Sequence, residues 1–593
     1  MKREEIKAFY EKKVIQLGVQ IARLRSRNRL FIAGEIITFL VAIGFVVLYT
    51  VLDDAAWALW MVPVWLVAYV VVRRFDEQND EQTERMEALQ TVYKQETGYL
   101  NGDFSPFDDG ECYVDARHPY SFDMDVFGRN SLFQCMNRTI TTGGNKVLAG
   151  KLSTLEWDAS RSRSLKELAS MAEWRMKLIA LGHGKRIDTA ELSRIVREVS
   201  TMKLRTSATS RTAFAMVVVA LAAFWLSIAG ALLGLYSGNV PFVWSIIQYF
   251  VVFLLFSGSL RNISKTAGKL HKQLNLYVEL LQMIREAGFK ETLNRRIAAE
   301  LEESAGSFKE LKNILARVDR RSNELCLFLF DALFLNDFFI VRDFLHWQQR
   351  YIVAFDTWIR ATSEMDALVS MATFAYNEPS AVEAEVVDSD AVVYETQDIR
   401  HPFLGEKGIG NDFNIENTHY YIITGANMAG KSTFLRALGV NYILAMNGLP
   451  VFAKRLRVSV FQLFTSMRTT DDLAHGISYF NAELRRLQQL LEVVAVENRP
   501  VLIILDEILK GTNSLDKLNG SRMFLEHVSR KNVSGVVATH DLELSKMADE
   551  RPDRFHNYCF EIELGTQVTY TYKLTEGIAR NQNATFLLRN ILK

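Results

Sequence analysis

Four long apolar runs dominate the hydrophobic pattern of the chain. They cover residues 30–51, 55–72, 212–236 and 240–258. Each has about the 17 to 25 residues that a helix needs to cross a hydrocarbon core of roughly 30 Å. Glu35 is the only charged residue within these runs, and it lies near an end where it can reach the interface. The pattern predicts two transmembrane helical hairpins, with buried core helices as the alternative.

Basic residues flank both predicted hairpins on one side only. The connectors at 53–54 and 237–239 contain no Lys or Arg. Cytoplasmic flanks carry the excess of basic residues, so both termini and all large segments are expected in the cytoplasm and the protein in the inner (cytoplasmic) membrane. Few ionisable groups lie in the runs, which favours an anchor over a conduit. The flanking residues are Arg23, Arg25, Arg27, Arg29, Arg73, Arg74, Lys203, Arg205, Arg211, Arg261, Lys265 and Lys269.

The polar segments show a helical pattern up to residue 378 and a β-rich pattern after Pro379. Residues 73–100 are polar and predicted to be helical, and a loop rich in Asp, Gly and Pro follows. Apolar positions recur every three or four residues over 131–211 and 261–378, which predicts helices. The aromatic stripe Phe338, Phe339, Phe344 and Trp347 is interpreted as a core face. Short β-like runs then alternate with helical ones, which predicts a mostly parallel sheet flanked by helices.

The segment ITGANMAGKST, residues 423–433, links one of these β-like runs to a helical run. Its Gly425-x4-Gly430-Lys431-Ser432 spacing matches a phosphate-binding loop. Glycines let backbone N–H groups wrap phosphates, and the helix N-terminus adds partial positive charge. Lys431 is predicted to reach the β and γ phosphates of ATP, and Ser432 to bind Mg²⁺. The predicted nucleotide-binding residues are Gly425, Ala426, Asn427, Met428, Ala429, Gly430, Lys431, Ser432 and Thr433.

Two later β-like runs end in residues that complete this chemistry. VLIILDE delivers Asp506, predicted to hold Mg²⁺, and Glu507, predicted to orient or deprotonate the attacking water. His540 follows another short strand and is predicted to sense the γ-phosphate, with a solvent-facing loop histidine as the alternative. The predicted catalytic residues are therefore Glu507, His540 and Lys431.

Composition narrows the class of protein. A chain of 593 residues is too long for one core and suggests two to four domains. The 69 basic and 69 acidic residues balance, so no global field draws the chain to nucleic acid. The four cysteines form no CxxC pair, which argues against a zinc site or a disulfide framework and fits a reducing cytosol.

The motifs together resemble the MutS family of ABC-type ATPases. The resemblance is carried by TGANMAGKSTFLRALGVNYILAMNGLPVFA, DDLAHGISYFNAEL, LDEILKGTNSLD, ATHDLEL and YKLTEGIARNQNATFLLR. RHP at 400–402 and SLFQCMNRTITTGGNKVLAGKL from Ser131 extend it upstream. It covers residues 390–593 fully and about 130–385 in pieces. Tyr479 replaces the family's Thr, and Leu509-Lys510 replaces its usual Gly-Arg.

The resemblance implies a head-to-tail homodimer with composite sites. Ser478 of one subunit would reach across to the γ-phosphate held by Lys431 of the other, and Asn427 would help to bind phosphates or position water. Mismatch reading is not expected, because the N-terminal Phe-x-Glu, Phe9-Tyr10-Glu11, sits in a short charged helix just before a predicted membrane span and no mismatch-reading domain surrounds it. The segment 263–325 is also too short and too helical for a DNA-gripping clamp.

The expected fold is α plus α/β, with a helical core and lever domain interrupted by membrane hairpins and a C-terminal ABC-type P-loop ATPase domain. The expected function is a membrane-anchored ATPase that uses ATP and Mg²⁺ and couples hydrolysis to lever motion, acting on the bilayer or on an unidentified protein partner.

An ABC transporter is the alternative, although GISYF stands where such proteins have an LSGGQ-like peptide. DNA binding is a third hypothesis, in which Arg295, Arg296, Arg317, Arg320 and Arg321 contact phosphates. The alternative is that these residues form a solvated helix face.

The predicted domain division is an N-terminal helix (1–29), hairpin 1 (30–72), linker and helix (73–130), a first helical core segment (131–211), hairpin 2 (212–258), a lever and second core segment (259–385) and the ATPase domain (386–593).

Overall fold

The computed structural model describes residues 2–52, 56–184, 186–202, 204–320, 324–468, 479–496, 499–564 and 568–580. Most of these residues are helical, and the strands are confined to the C-terminal region. The chain divides into two compact units. The first comprises Met1–Arg138, Val147–Arg175 and Leu368–Lys593, and the second Thr139–Lys146 and Met176–Ala367.

The helices fall into three stretches along the chain. The first stretch is α1 (Arg3–Val51), α2 (Ala56–Leu100), α3 (Leu132–Met136), α4 (Thr142–Ser153), α5 (Ala159–Ser170), α6 (Ala172–Leu181) and α7 (Thr189–Ser200). The second is α8 (Arg211–Leu232), α9 (Asn239–Arg285), α10 (Thr292–Glu300), α11 (Ser304–Arg320), α12 (Glu324–Phe334), α13 (Asn336–Tyr351) and α14 (Phe355–Asn377). The last is α15 (Lys431–Met446), α16 (Tyr479–Val496), α17 (Ser514–Val528) and α18 (Met547–Glu550).

Helices α1 and α2 form an antiparallel hairpin that continues well beyond the apolar runs. Phe39 packs on Tyr69 with ring centroids 5.9 Å apart, and further along the pair the Gln90 side chain donates to the Val14 carbonyl at 3.0 Å. Glu35, the charged residue of the first run, pairs with Arg73 of α2 at 3.4 Å. The predicted boundaries at 29/30 and 72/73 are thus changes of polarity inside continuous helices, not helix ends.

A buried polar network holds the base of this hairpin. Glu96 of α2 accepts from Arg138 Nε at 2.9 Å and from the Asn377 amide at 2.6 Å. The Tyr10 hydroxyl of α1 donates to Asn377 Oδ1 at 2.8 Å. Burial raises the pKa of Tyr10 well above its usual value. Tyr10 is therefore a core residue, which agrees with interpreting Phe9-Tyr10-Glu11 as a coincidental match.

The described residues of the second unit form helices with short connections, and an isolated β-bridge joins Thr141 to Ile187. Phe338, Phe344 and Trp347 are buried, so the aromatic stripe is a core face as predicted, and Phe339 is partly exposed. The Trp347 indole N–H donates to the Ser307 hydroxyl at 3.0 Å. The α9 helix runs without a break from the apolar run into the polar segment. Among the described residues, α1, α2, α8 and α9 are long and apolar enough to cross a membrane, judged by length and composition.

The strands form two sheets within the first unit. They are β1 (Glu385–Val387), β2 (Tyr394–Ile399), β3 (Asn411–Ile415), β4 (Tyr420–Gly425), β5 (Arg455–Ser459), β6 (Gln462–Ser466), β7 (Val501–Asp506), β8 (Val533–Ala538), β9 (Phe555–Leu564) and β10 (Val568–Glu576). The larger sheet has the order β10-β9-β4-β8-β7-β6 and is parallel except for the antiparallel β9–β10 pair. This confirms the mostly parallel sheet predicted from the β-rich pattern.

A second sheet, of order β1-β5-β2-β3 with mixed pairing, was not predicted. Within the β-rich pattern after Pro379, the run AVVYET at 391–396 is a strand only from Tyr394 onward. The backbone N–H groups of Val392 and Val393 donate to the Asn417 and Ser459 side chains, so these residues do not join the ladder.

Candidate active site

The glycine-rich loop lies between β4 and α15 at the carboxyl end of the parallel sheet. β4 ends at Gly425 and α15 begins at Lys431. Gly425 and Gly430 have φ of 153° and 108°, in the region that favours glycine. A Cβ on Gly425 would also lie 2.9 Å from the Phe560 carbonyl oxygen of the neighbouring strand β9. The two glycines are therefore required by backbone shape.

Lys431 is drawn into this loop. Its Nζ donates to the carbonyl oxygens of Gly425 at 2.7 Å and Ala426 at 3.0 Å, and the residue is only 5% exposed. Burial lowers the pKa of Lys431 to about 8, although the charges of Asp506 and Glu507 act to raise it. The Lys431 ammonium in this loop therefore loses its proton around pH 8, close to neutral.

Two oxygen ligands meet beside the lysine. Ser432, in the first turn of α15, donates its hydroxyl to Asp506 Oδ2 at 2.5 Å, and Asp506 is the last residue of β7. Mg²⁺ prefers oxygen ligands and usually keeps several waters, with one or two protein carboxylates and the substrate phosphates completing its shell. The Ser432 hydroxyl and the Asp506 carboxylate fit that requirement, because both are oxygen ligands and both residues are accessible to solvent.

Glu507 and His540 stand next to each other at the ends of β7 and β8. Glu507 has φ of 60°, and its backbone N–H donates to the Ala538 carbonyl at 2.9 Å. His540 Nε2 lies 3.3 Å from Glu507 Oε1, and its Nδ1 lies 3.4 Å from Lys431 Nζ. Burial and then the Lys431 charge lower the pKa of His540. A neutral imidazole fits both contacts, with Nδ1 accepting from Lys431 and Nε2–H donating to Glu507.

The structure therefore brings Lys431, Ser432, Asp506, Glu507 and His540 together. His540 lies in the loop after β8 with its side chain 38% exposed, and its ring contacts both Lys431 and Glu507. Among the other predicted residues, Ala429 is buried in the loop, while Asn427, Met428 and Thr433 have exposed side chains. Met428 is 78% exposed with φ of 66°. Ser478 lies outside the described residues.

Lys517 is a site residue that sequence reasoning missed. Its Nζ lies 3.3 Å from Glu507 Oε2, on the opposite oxygen from His540. The pair holds the Glu507 carboxylate between two nitrogen donors. Lys517 lies in the first turn of α17, four residues after the N-cap Asn513, and no signal in the sequence places it at the end of β7.

The loop at 118–125, predicted to belong to a linker, packs against this domain. Asp125 Oδ2 accepts from Arg468 Nη2 at 2.9 Å and lies 3.2 Å from Arg436 Nη1. Asp123 accepts from the Arg468 backbone N–H at 2.9 Å and from the Thr465 hydroxyl at 2.7 Å. Arg436 lies one turn after Ser432 in α15, and Arg468 directly precedes residues 469–478. The loop thus contacts α15, which begins at the glycine-rich loop, and the end of β6 with the residues that follow it.

The Leu509-Lys510 pair, which stands in place of the Gly-Arg of the family motif, is accommodated by neighbouring residues. Leu509 stands where the family has Gly, and its φ is 58°. A Cβ on Gly520 would lie 2.4 Å from Leu509 Cδ1, so Gly520 makes room for this leucine. The Glu483 carboxylate of α16 accepts from the backbone N–H groups of Lys510 at 3.0 Å and Gly511 at 3.1 Å. The segment after Glu507 is fixed in this way.

Comparison with known proteins identifies the family of this region. Residues 421–585 match the family described as MutS domain V. A DNA mismatch repair protein MutS of Acetivibrio thermocellus is 34% identical over 236 residues, which cover 38% of this chain and 26% of that protein. Proteins of the same name from Clostridium kluyveri and Thermotoga petrophila are each 31% identical, over 230 and 185 residues. These cover 37% and 30% of this chain and 26% and 23% of the relatives.

The site is thus carried by a domain of the MutS type, whose family members are ATPases. The C-terminal region of the chain is therefore similar to the MutS family. It spans about a quarter of the length of the curated relatives it matches.

Proposed function

We propose that the chain is a membrane-anchored MutS-type ATPase that binds ATP with Mg²⁺ and hydrolyses it. The observation that carries this proposal is the convergence of Lys431, the Ser432–Asp506 pair, Glu507 and His540 at neighbouring strand ends. A cation, two oxygen ligands and a carboxylate beside a glycine loop are the groups that phosphoryl transfer to water requires.

Each group has a defined role in this proposal. The backbone N–H groups of 425–433 and Lys431 bind the phosphates. Ser432 and Asp506 would hold Mg²⁺, which when bound neutralises charge on the phosphate oxygens. Glu507 accepts a proton from the attacking water, or orients it, while Lys517 and His540 fix the carboxylate. With ATP bound, the Nε2–H of His540, which lies against Glu507 in this structure, would turn to donate to the γ-phosphate.

Mg²⁺-dependent nucleotide affinity tests this assignment. Ser432→Ala and Asp506→Asn in the full chain should weaken binding of an ATP analogue in the presence of Mg²⁺ and have little effect in EDTA. The matched control is Ser545→Ala, a serine of the same domain away from the loop. Equal losses with and without Mg²⁺ would contradict the assigned roles of Ser432 and Asp506.

The proposal includes a composite homodimer site, with Ser478 of one subunit facing the nucleotide of the other. A mixture of Lys431→Ala and Ser478→Ala chains tests it. Each homodimer would be inactive, whereas the mixed dimer would hold one site with both residues intact and regain some of the activity. No recovery on mixing, with dimers present, would contradict the composite site.

The two hairpins are proposed as anchors in the inner (cytoplasmic) membrane, with the ATPase and core domains cytoplasmic. The supporting observations are the length and apolarity of α1, α2, α8 and α9 and the basic flanks on one side. An impermeant maleimide should label Asn239→Cys in intact cells and Val353→Cys only after permeabilisation. The reverse pattern, or labelling of neither residue in intact cells, would contradict this topology.

Lever motion is the proposed output of the cycle. The helices of 259–385 would transmit ATP-driven dimer closure to the bilayer or to an unidentified protein partner held there. Cysteine cross-linking near Arg211 and Arg261, with and without ATP, tests this coupling. Identical cross-linking patterns in the two conditions would contradict it.

DNA is retained as an alternative partner because the curated relatives are named DNA mismatch repair proteins. The candidate basic residues are partly neutralised, since Arg296 pairs with Glu300 and Arg317 with Asp343, which favours a solvated face; Arg321 lies outside the described residues. Salt-dependent binding of duplex DNA would support this alternative, and no binding at low salt would remove it. ATP-dependent flux in proteoliposomes would instead support the transporter alternative.

A further inference from the structure

A short apolar helix of the second unit packs beside the predicted second hairpin. Helix α12, with the sequence ELCLFLFDALF, has 11 residues, or about 16 Å of length, too little to cross a bilayer. Phe328, Phe330 and Phe334 are 40%, 44% and 46% exposed. The Phe328 ring lies 5.2 Å from the ring of Tyr249 in α9. Exposed apolar patches mark sites of contact with another protein, a ligand or a membrane.

Ring contacts show how far along the spans this segment extends. Phe334, at the end of α12, lies 5.7 Å from Trp225 of α8, about 21 Å along that helix from Arg211. Phe339, in α13, lies 6.4 Å from Phe214, which is within about 5 Å of Arg211 along the helix axis. The chain therefore turns back towards the basic end of the hairpin between α12 and α13.

Backbone polar groups at the turn between α12 and α13 pair with protein side chains on both sides of Leu335. Leu335 is buried with φ of 53°. The Asp331 carboxylate accepts from the Asp337 backbone N–H at 2.8 Å, at the start of α13. The Gln248 amide, from the middle of the predicted span in α9, donates to the Ala332 carbonyl at the end of α12. Non-helical backbone at membrane depth is tolerated only with this kind of internal pairing.

A basic residue of α13 lies at the same level as the basic end of the predicted second hairpin. Arg342, further along α13, donates to the Ala208 carbonyl at 2.9 Å, and its guanidinium carbon lies 4.4 Å from the centre of the Phe214 ring. A cation at this level marks the interface, where Arg side chains reach water and headgroups.

We propose that α12 and the first turns of α13 form a re-entrant helical hairpin, which enters the bilayer from the cytoplasmic side and turns at Leu335. Its partner is the acyl-chain layer of the lipid, which covers Phe328, Phe330 and Phe334. The argument for this occupant is the continuity of these rings with Tyr249 and Trp225 of the spans. The inference rests on the proposed membrane location of α8 and α9.

Photocrosslinking in native membranes tests whether α12 forms this re-entrant hairpin. Benzoylphenylalanine is placed, one position at a time, at Phe330, at Phe242 and at Val353 of the full chain. Phe242 is 63% exposed on the predicted span in α9, and Val353 is 84% exposed beyond α13. After irradiation, lipid adducts on tryptic peptides are measured by mass spectrometry. Position 330 should give a lipid-adduct yield close to that at 242, with no lipid adduct at 353.

The outcomes separate this inference from the proposed anchoring. Lipid adducts at 242 but not at 330 would overturn the re-entrant hairpin and leave the hairpin anchors standing. A protein adduct at 330 would also overturn it, and would indicate an interface with another chain. No lipid adduct at 242 would overturn the membrane location itself and the inference with it. Phe334 serves as a second position should the variant at 330 fail to accumulate.

Discussion

The protonation of Lys431 should control how tightly the site holds ATP at alkaline pH. Its buried Nζ donates to the Gly425 and Ala426 carbonyls, and burial lowers its pKa to about 8. Phosphate oxygens stabilise an ammonium, so bound ATP raises this pKa. The charged amine therefore binds ATP more tightly than the neutral one. Affinity should be full well below pH 8 and should fall as the pH rises above 8.

The magnitude follows from the pKa of about 8. At pH 9 about one tenth of the Lys431 amines carry the proton, so affinity should be about tenfold lower than at full protonation, or about 1.4 kcal/mol. At pH 7 about nine tenths are protonated, and little change is expected at lower pH from this group. An ordinary exposed lysine, with a pKa near 10.4, would leave affinity almost flat up to pH 9.

The assay is titration of the full chain with a non-hydrolysable ATP analogue and Mg²⁺ from pH 6.5 to 9.5. Wild-type affinity should bend near pH 8, with proton uptake on binding above that pH. The control is Lys546→Ala, which removes an exposed lysine paired with Glu543 in the same domain and should leave the profile unchanged. A flat wild-type profile to pH 9.5 would refute the buried, loop-bound lysine.

Three substitutions test other regions of the site and fold. Gly430→Ala places a Cβ at φ of 108°, costs about 1–2 kcal/mol of strain and should weaken ATP binding, measured by titration, while Gly184→Ala, a strained glycine outside the loop, should not. Asp125→Asn should lower ATP turnover more than ATP affinity, because Asp125 ties Arg468, beside residues 469–478, to α15; equal turnover would argue against this coupling. Glu96→Gln should destabilise the first unit by about 3–5 kcal/mol in thermal unfolding, because it leaves Arg138 buried without its charge partner; an unchanged melting temperature would contradict this.

Local sequence patterns were sufficient to predict the elements that have a clear hydrophobic period or glycine spacing. The helices up to residue 378, the mostly parallel sheet and the strand–loop–helix around Lys431 follow from period, length and glycine spacing. The identity of the residues at the strand ends also predicted that Asp506, Glu507 and His540 would lie together, because parallel strands end at one edge of the sheet.

Long-range partners were beyond the reach of local patterns. The mixed sheet is built from strands such as β1, of three residues, whose pairing with β5 joins distant regions of the chain. The docking of Asp125 on Arg468 depends on tertiary position, and nothing in the sequence of the loop marks it. Lys517 was missed for the same reason. Helix α12 was missed as a separate element because its apolar pattern continues into the aromatic stripe of α13, while the turn at Leu335 carries no glycine or proline.

The hydrolysis of ATP by the Glu507→Gln chain tests the central claim most directly. Phosphate release by the full chain is measured with Mg²⁺ in membranes, together with the ATP that remains bound. The wild-type chain should hydrolyse ATP, and Glu507→Gln should retain ATP with release slowed by about 10²–10⁴-fold, the range for loss of a general base. Phosphate release by Glu507→Gln at the wild-type rate, or no ATP bound by either chain, would contradict the proposed active site.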